Sequence, residues 1–144
     1  MTDETDPIYQ EERRIKALHC DFDRRLKPAV LLRYLSEAAG AHAMQLGVGY
    51  EAMLARDLLW IHSRMRVKVL KYPHIDDVVT LRTWPKAIAR RLLYIRDFEV
   101  VDADGERLVA ATSAWLIVDA DSHRIVRPGS AKSDVPVVAG LVGL

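Results

Sequence analysis

The sequence contains no asparagine, which excludes any mechanism that needs an asparagine amide from this chain. It has a single cysteine, Cys20, so no disulfide can form within the chain. No apolar run approaches the roughly 18 to 20 residues that a membrane-spanning helix requires. The amino-terminal residues are too polar and acidic for a secretory signal. Together these absences predict a cytoplasmic protein without a membrane span.

The sequence also lacks an excess of either positive or negative charge. The chain has 21 basic and 20 acidic residues and a formal net charge of +1, so its overall charge does not favour nucleic acid. Its five histidines show no metal-ligand spacing, and we expect neither a metal nor another cofactor. What is present is ordinary: half of the 144 residues are hydrophobic, which suits one globular domain.

The periodicity of the apolar residues changes along the chain. A flexible leader over 1–7 precedes an extended segment predicted over 8–22. Helical spacing follows over 28–46, with a proline in the first turn and glycines after the end. Four residues share one side of that helix: Leu31, Leu35, Ala38 and His42. A second, short helix is predicted over 50–56.

Segments rich in β-branched and aromatic residues fill the rest of the domain. We predict strands over 58–72, 77–84, 89–102 and 107–118, followed by a tail over 129–144. Asp104-Gly105 is a strong hairpin signal, and the short connections predict a meander in which successive strands are neighbours. A sheet with one apolar face must cover that face, and only one long helix is available. The sequence therefore predicts an α+β fold, a curved antiparallel sheet wrapped around one central helix.

Long motifs within these segments carry a resemblance to a known family. The strands contain "LLWIHSRMRVKVLKYP", "DDVVTLRTWP", "RDFEVVDADGERLVAATSAWLIVD" and "SHRIVRP", and the helical region contains "LLRYLSEAAGAHAMQLGVGYEAM". The chain resembles, over residues 15–128, the amino-terminal hot-dog domain of acyl-ACP thioesterases of the plant and bacterial fatty-acyl type. The resemblance implies a single hot-dog domain over 8–128.

The resemblance also implies a function and leaves alternatives open. It implies an acyl thioesterase that hydrolyses fatty acyl-ACP or acyl-CoA. Two-domain members carry a catalytic asparagine and histidine in a carboxy-terminal domain, which we expect this protein to lack. The alternative is therefore a non-catalytic acyl-thioester binding or regulatory protein, and a dehydratase or other hot-dog lyase is a further alternative. Hot-dog domains generally pair side by side, which implies a homodimer or a dimer of dimers.

Two carboxylates are candidates for activating water. Glu37 lies on the helix, where other hot-dog thioesterases carry a catalytic carboxylate. The alternative is a partly exposed Glu37 that pairs with Arg33 one turn earlier. Asp23, just before the helix, is the second candidate, although aspartates in turns near helix starts are common.

A channel for the acyl chain is predicted along the helix. Small residues over 38–43 would leave space between helix and sheet, and we predict a pocket lined by Tyr34, Ala38, Ala41 and His42. The alternative is close helix packing by good helix formers. His42 lies five residues after Glu37, about 140° around the helix at roughly 100° per residue. The two cannot share a face, and a buried structural histidine is the alternative for His42.

Donors for the oxyanion are predicted at the start of the helix. Lys27 would take the N-cap position, and lysine has no side-chain acceptor for the free amides of Ala29 and Val30. Those amides could receive a thioester oxygen with help from the helix dipole. Water or a neighbouring carbonyl is the alternative partner.

Basic residues form a stripe on one strand. By alternation Arg64, Arg66 and Lys68 face away from the core, and the same alternation places His62 and Trp60 on their side. Arg90 and Arg91, with Arg24 and Arg25 as further candidates, would extend a surface for the phosphates of coenzyme A or for acidic acyl carrier protein. A solvated outer face is the alternative.

Overall fold

Residues 7–129 are described by the computed structural model, which contains one antiparallel sheet and one long helix. The strands are β1 (Tyr9–Arg14), β2 (Leu58–Val69), β3 (Val78–Ala89), β4 (Leu93–Val101), β5 (Arg107–Asp119) and β6 (Ile125–Val126). The helices are α1 (Pro28–Gln45), α2 (Tyr50–Leu54) and a 3-10 turn at Ala17–His19. This is the predicted α+β arrangement, in which the sheet curves around α1.

The long helix forms where the apolar period predicts it. Its proline occupies the first turn, where a missing N–H costs nothing, and Lys27 caps it without a side-chain hydrogen bond. Its buried residues recur every three or four positions: Leu31, Tyr34, Leu35, Ala38, Ala39 and His42. This spacing gives the continuous apolar stripe that packs on a sheet.

The order of strands corrects the predicted meander. The sheet runs β1-β3-β4-β5-β2, with β6 also paired to β5, so β2 lies beside β5 and not beside β3. The connection between β2 and β3 passes the start of α1, where the Leu26 N–H donates to Pro73 O and the Ile75 N–H donates to Arg24 O. After these bonds the chain enters β3, which pairs with β1 at the opposite edge of the sheet from β2. Of the four strands of the predicted meander, only β3, β4 and β5 are successive neighbours, and β2 is left at an edge.

The first extended segment is shorter than predicted. Strand β1 ends at Arg14, and the next six or so residues turn instead of continuing the sheet. The Ile15 N–H donates to Asp77 O, which holds the chain beside the start of β3. The remainder of the predicted strand forms the 3-10 turn and a loop that enters α1.

The β4–β5 hairpin confirms its sequence signal. Gly105 has φ +83°, a conformation that glycine adopts without steric cost. The carboxylate of Asp102 accepts hydrogen bonds from the N–H groups of Asp104 and Glu106, which closes the turn.

A β-bulge in β2 changes which side chains face the helix. The pairing register with β5 shifts between His62 and Arg64. Before the bulge, Trp60 packs inside the fold, and after it Met65 packs there. The simple alternation that placed Trp60 and His62 with the arginines is therefore wrong for Trp60, because a bulge inserts one residue into the strand.

The predicted leader and tail fall almost entirely on residues 1–6 and 130–144, which lie outside the described residues. Over the described part of the chain, no helix is both long and apolar enough to cross a membrane.

A substitution at Leu35 tests whether this face of α1 packs in the core. The Leu35 side chain is 0% exposed, whereas Leu32 on the same helix is 43% exposed. We expect Leu35→Ala to lower the free energy of unfolding by about 2 to 5 kcal/mol, because it deletes buried methyl groups and leaves a cavity. Leu32→Ala should lower it by less than about 1 kcal/mol. Urea unfolding measures both, and equal losses would contradict the placement of α1.

Candidate functional site

A cavity of about 450 Å³ opens between the carboxy-terminal half of α1, α2 and the sheet. It lies beyond the large leucines of α1, where the helix presents small residues. The described residues that line it are Ala39, Gly40, Ala43, Leu46, Val48, Gly49, Tyr50, Met53, Leu59, Trp60, Ile61, Pro85, Tyr94, Ile95, Arg96 and Trp115. This volume and largely apolar lining are typical of sites for small ligands.

Three aromatic rings form the sheet side of the cavity. Trp60 packs edge-on against both Tyr94 and Trp115, with ring centroids 5.2 and 6.4 Å apart. The indole N–H of Trp60 donates to Val48 O, and that of Trp115 donates to Ser113 Oγ. Because both N–H groups are bound by protein acceptors, the rings offer apolar surface to a ligand.

Gly40 contributes open space on the helix side. A Cβ added there would meet no heavy atom within 4 Å. Glycine inside a helix is destabilising by roughly 0.5 to 1 kcal/mol relative to alanine, and no packing contact requires it here. The small residues predicted over 38–43 thus include three that face the cavity: Ala39, Gly40 and Ala43.

Arg96 is the one charged residue among the described lining residues. Its Nη1 donates to His42 Nδ1 at 2.9 Å and to Thr83 Oγ1 at 3.2 Å. Arginine has no acceptor atom, so His42 Nδ1 must carry the lone pair and the ring is neutral. Burial lowers the pKa of Arg96 to about 10, which still leaves the guanidinium protonated at neutral pH.

None of the four side chains predicted to line the pocket is among the described residues that line the cavity. Tyr34 is buried nearer the start of α1, where its hydroxyl is 2.6 Å from His19 Nδ1. Ala38 is buried and Ala41 is half-buried. His42 is 0% exposed, and its Nδ1 contacts the lining residue Arg96.

The two candidate carboxylates both lie at the surface. The side chain of Glu37 is 48% exposed and contacts Arg13 at 2.9 Å and Arg33 at 3.7 Å. It lies roughly 120 to 160° around α1 from Ala39 and Ala43 and about 60° from the exposed Gly40, at about 100° per residue, and it is not itself among the described lining residues. Asp23 is exposed and contacts Arg25 Nη2 at 3.0 Å. Neither carboxylate reaches the cavity of its own chain.

The predicted oxyanion donors differ in availability. The Val30 N–H donates to Lys27 O at 3.0 Å, so it is already used within the first turn. Ala29 lies at the exposed start of α1. That end of the helix is about 15 Å from Ala39, given a rise of roughly 1.5 Å per residue. A thioester held in the cavity therefore lies far from the Ala29 amide of the same chain.

The basic residues divide into separate groups. Arg64, Arg66 and Lys68 are exposed along β2, and Met65, Val67 and Val69 pack inward between them. Arg90 and Arg91 form the tip of the β3–β4 hairpin with φ values of 53° and 54°. This left-handed pair forms the turn that usually selects Asn-Gly, and each arginine is strained there.

Arg24 and Arg25 lie in the loop before α1. Arg24 is exposed with φ 63°. Arg25 contacts Asp21 and Asp23, and its guanidinium lies 5.6 Å from the centroid of the Tyr72 ring. Local carboxylates thus already balance much of the Arg25 charge.

Arg96 and the aromatic wall were not predicted as site residues. Arg96 could have been identified from the sequence, since the period of two in a strand places it on the same face as Tyr94 and Phe98. Trp60 had no such signal, because only the bulge turns it inward. Among residues 7–129, no group of three or more His, Cys, Asp or Glu side chains is placed to hold a metal ion.

Comparison with known proteins gives consistent matches. The family model for the acyl-ACP thioesterase N-terminal domain matches residues 6–129. A palmitoyl-acyl carrier protein thioesterase of Gossypium hirsutum is 30% identical over 125 residues, covering 82% of this chain and 30% of the relative. The chain spans about a third of the length of the curated relatives it matches.

Solved structures agree with the fold. An acyl-ACP thioesterase from Bacteroides thetaiotaomicron superposes with a TM-score of 0.81 at 24% identity, over 99% of this chain and 60% of that one. The 12:0-ACP thioesterase from Umbellularia californica gives a TM-score of 0.76 at 25% identity, over 89% of this chain and 50% of that one. The fold is therefore the hot-dog fold.

Proposed function

Because this chain belongs to the acyl-ACP thioesterase family, whose N-terminal domain model it matches, we propose that it hydrolyses fatty acyl thioesters of acyl carrier protein or coenzyme A. The observation that carries the proposal is the apolar cavity between α1 and the sheet. The names of the relatives support the acyl-ACP class of substrate.

The cavity is suited to the hydrocarbon part of such a substrate. Burying a methylene group contributes about 0.8 kcal/mol, so eight carbons would supply on the order of 6 kcal/mol of binding. The rings of Trp60 and Trp115 offer flat apolar surfaces, and Gly40 leaves room beside the helix. Chain length would then be set by how many methylenes fit before the wall is met.

Hydrolysis also needs a base, and the described wall supplies none. Water attacks the thioester carbonyl while a carboxylate accepts the water proton. The C–S bond then breaks, and the carboxylate returns the proton to the departing thiolate, which gives a thiol and a carboxylic acid. No Asp, Glu or His is among the described lining residues. We propose that a second copy of the chain brings its own Glu37 or Asp23 to the mouth of this cavity.

The edge of the sheet supports such pairing. Strand β2 is 12 residues long and has one strand neighbour, β5, among the described residues. A long unpaired edge presents free N–H and C=O groups that readily pair with another chain. Ile61 on this strand is 43% exposed and would be covered. A homodimer in the cytoplasm is the assembly we propose, with a dimer of dimers as its extension.

A non-catalytic acyl-thioester binding protein is the second candidate function. The observation that favours it is the same absence of a carboxylate from the described cavity wall. Apolar contacts bind ground state and transition state alike, so the cavity by itself supports binding without turnover. Hydrolysis assays separate the two candidates.

The first prediction concerns chain length. Purified protein should release thiol from a panel of acyl-CoA and acyl-ACP substrates above the spontaneous rate, with an optimum length. Gly40→Leu should shift that optimum to shorter chains, because Gly40 lines the exposed side of the cavity and a larger side chain there would take up part of its volume. Gly40→Ala is the matched control and should shift it less. Acyl binding without any thiol release would establish the second candidate instead.

The second prediction concerns the base. If Glu37 activates water, Glu37→Gln should lower kcat by at least about a hundredfold, the scale typical of general bases, and leave acyl binding intact. Glu11→Gln is the matched control, since Glu11 also pairs with Arg13 but is not a candidate base. If both variants retain full activity, Glu37 is only an ion-pair partner and Asp23→Asn is the next test.

We further propose that the hairpin tip contacts the acidic carrier protein. Two strained, exposed arginines at adjacent positions form a compact positive site, and strain of this kind tends to persist at functional positions. Arg64, Arg66 and Lys68 extend the positive surface along β2. The phosphates of coenzyme A would use the same charges.

The third prediction separates strain from function at this tip. Replacing both arginines, Arg90→Asn with Arg91→Gly, should raise the free energy of unfolding by about 1 kcal/mol or more, because the new pair favours left-handed turns. KM for acyl-ACP should rise severalfold, with a reduced dependence on salt. Arg107→Gln, far along the sheet in a pair with Glu99, is the control. An unchanged KM would remove the tip from carrier binding.

A further inference from the structure

Arg96 is a cation in the wall of an otherwise apolar cavity. A buried charge without a counter-ion costs several kcal/mol, so proteins rarely retain one without a role. The neighbouring Asp97 does not serve as its partner: successive strand residues face opposite sides of a sheet, and the Asp97 carboxylate contacts Lys86 Nζ at 3.3 Å. Among the described residues, no carboxylate forms an ion pair with Arg96.

The contacts that Arg96 does make fix one corner of its guanidinium. Nη1 donates to His42 Nδ1 and to Thr83 Oγ1, and both partners are 0% exposed. Thr83 is itself held, because its hydroxyl donates to Asp97 O at 2.8 Å. The guanidinium is therefore oriented by buried, neutral acceptors that add no negative charge.

The other edge of the guanidinium remains available. Nε and Nη2 have no hydrogen-bond partner among the described residues, and neither is sealed from solvent. These two N–H groups lie on one edge of the planar group and point the same way. That fork matches the two oxygens of a carboxylate, the geometry for which arginine is preferred over lysine.

We propose that this cavity binds an alkyl chain that ends in a carboxylate, with the carboxylate held by Nε and Nη2 of Arg96 and the chain against Trp60 and Trp115. The inference rests on the assignment of the cavity to an acyl chain. Two sources share this chemistry: a free fatty acid, which is the hydrolysis product, and an acyl thioester whose far end bears a carboxylate. A product bound in this way would occupy the acyl cavity and inhibit the next turnover.

Tryptophan fluorescence tests the inference without relying on hydrolysis, because two of the three tryptophans line the cavity. Wild-type protein is titrated at pH 8 with decanoate, 1-decanol and methyl decanoate, below their aggregation limits. We expect decanoate to bind at least about tenfold more tightly than the neutral ligands, the scale of hydrogen bonds to a charged group. Equal or weaker binding of decanoate would overturn the inference.

Arg96→Met should reverse this preference, since it keeps the length of the side chain and removes the charge. Decanoate should lose at least about tenfold in affinity while 1-decanol binds as well or better. Arg14→Met is the matched control at an exposed arginine on β1 and should leave both affinities unchanged. If Arg96→Met does not fold, the wild-type preference among the three ligands still decides the question.

A second experiment distinguishes a free fatty acid from an acyl thioester with a terminal carboxylate as the ligand. It also separates the inference about Arg96 from the proposal that the cavity binds an acyl chain. An acyl-CoA with a terminal carboxylate is compared with the unsubstituted acyl-CoA of equal length. Tighter binding of the carboxylated thioester assigns Arg96 to the far end of a substrate, and a preference seen only with the free acid assigns it to the product. Neutral ligands that bind as well as decanoate overturn the Arg96 inference and leave the acyl cavity standing. Failure of every ligand to bind would overturn both.

Discussion

One helix has to cover the inner face of a sheet that is longer than the helix. Strands β2 and β5 run for 12 and 13 residues, about 40 Å at roughly 3.3 Å per residue, whereas the 18 residues of α1 span only about 27 Å. The first half of α1 uses Leu31 and Leu35 to fill its share of the space. The second half carries alanines and Gly40, which cannot reach the sheet, and the cavity is the remaining gap.

The same constraint explains which features the sequence could predict. The period of α1 and the Asp104-Gly105 hairpin are local, and the structure confirms both. The pairing of β2 with β5 depends on where the β2–β3 connection is anchored near Pro73, which no local pattern records. The bulge after His62 is equally hidden, yet it decides that Trp60 enters the cavity. A one-residue shift in a strand moves every later side chain to the other face.

The candidate site was predictable only in part, for a related reason. The small residues of α1 indicate space, and three of those predicted over 38–43 do line the cavity. Glu37 lies on the central helix, as the sequence predicts, but on its exposed side with two arginine partners. Arg96 conflicts with its own strand pattern, since an inward position there calls for an apolar side chain. Such a conflict between local rule and charge marks functional positions more often than errors.

The cavity therefore combines apolar contacts, which favour a hydrocarbon chain, with the charge of Arg96, which favours a polar or charged group. Its rings and alanines favour methylenes, and this contribution is nearly the same before and during reaction, so it selects a ligand without accelerating chemistry. Arg96 works against a purely hydrocarbon ligand, because an alkyl end pressed on the guanidinium displaces water and leaves the charge uncompensated. An apolar cavity with an uncompensated cation in its wall is best satisfied by an alkyl chain that also carries a carboxylate. The retained desolvation cost at Arg96 is thus a specificity element, and it explains why neutral His42 and Thr83 hold the guanidinium without neutralising it.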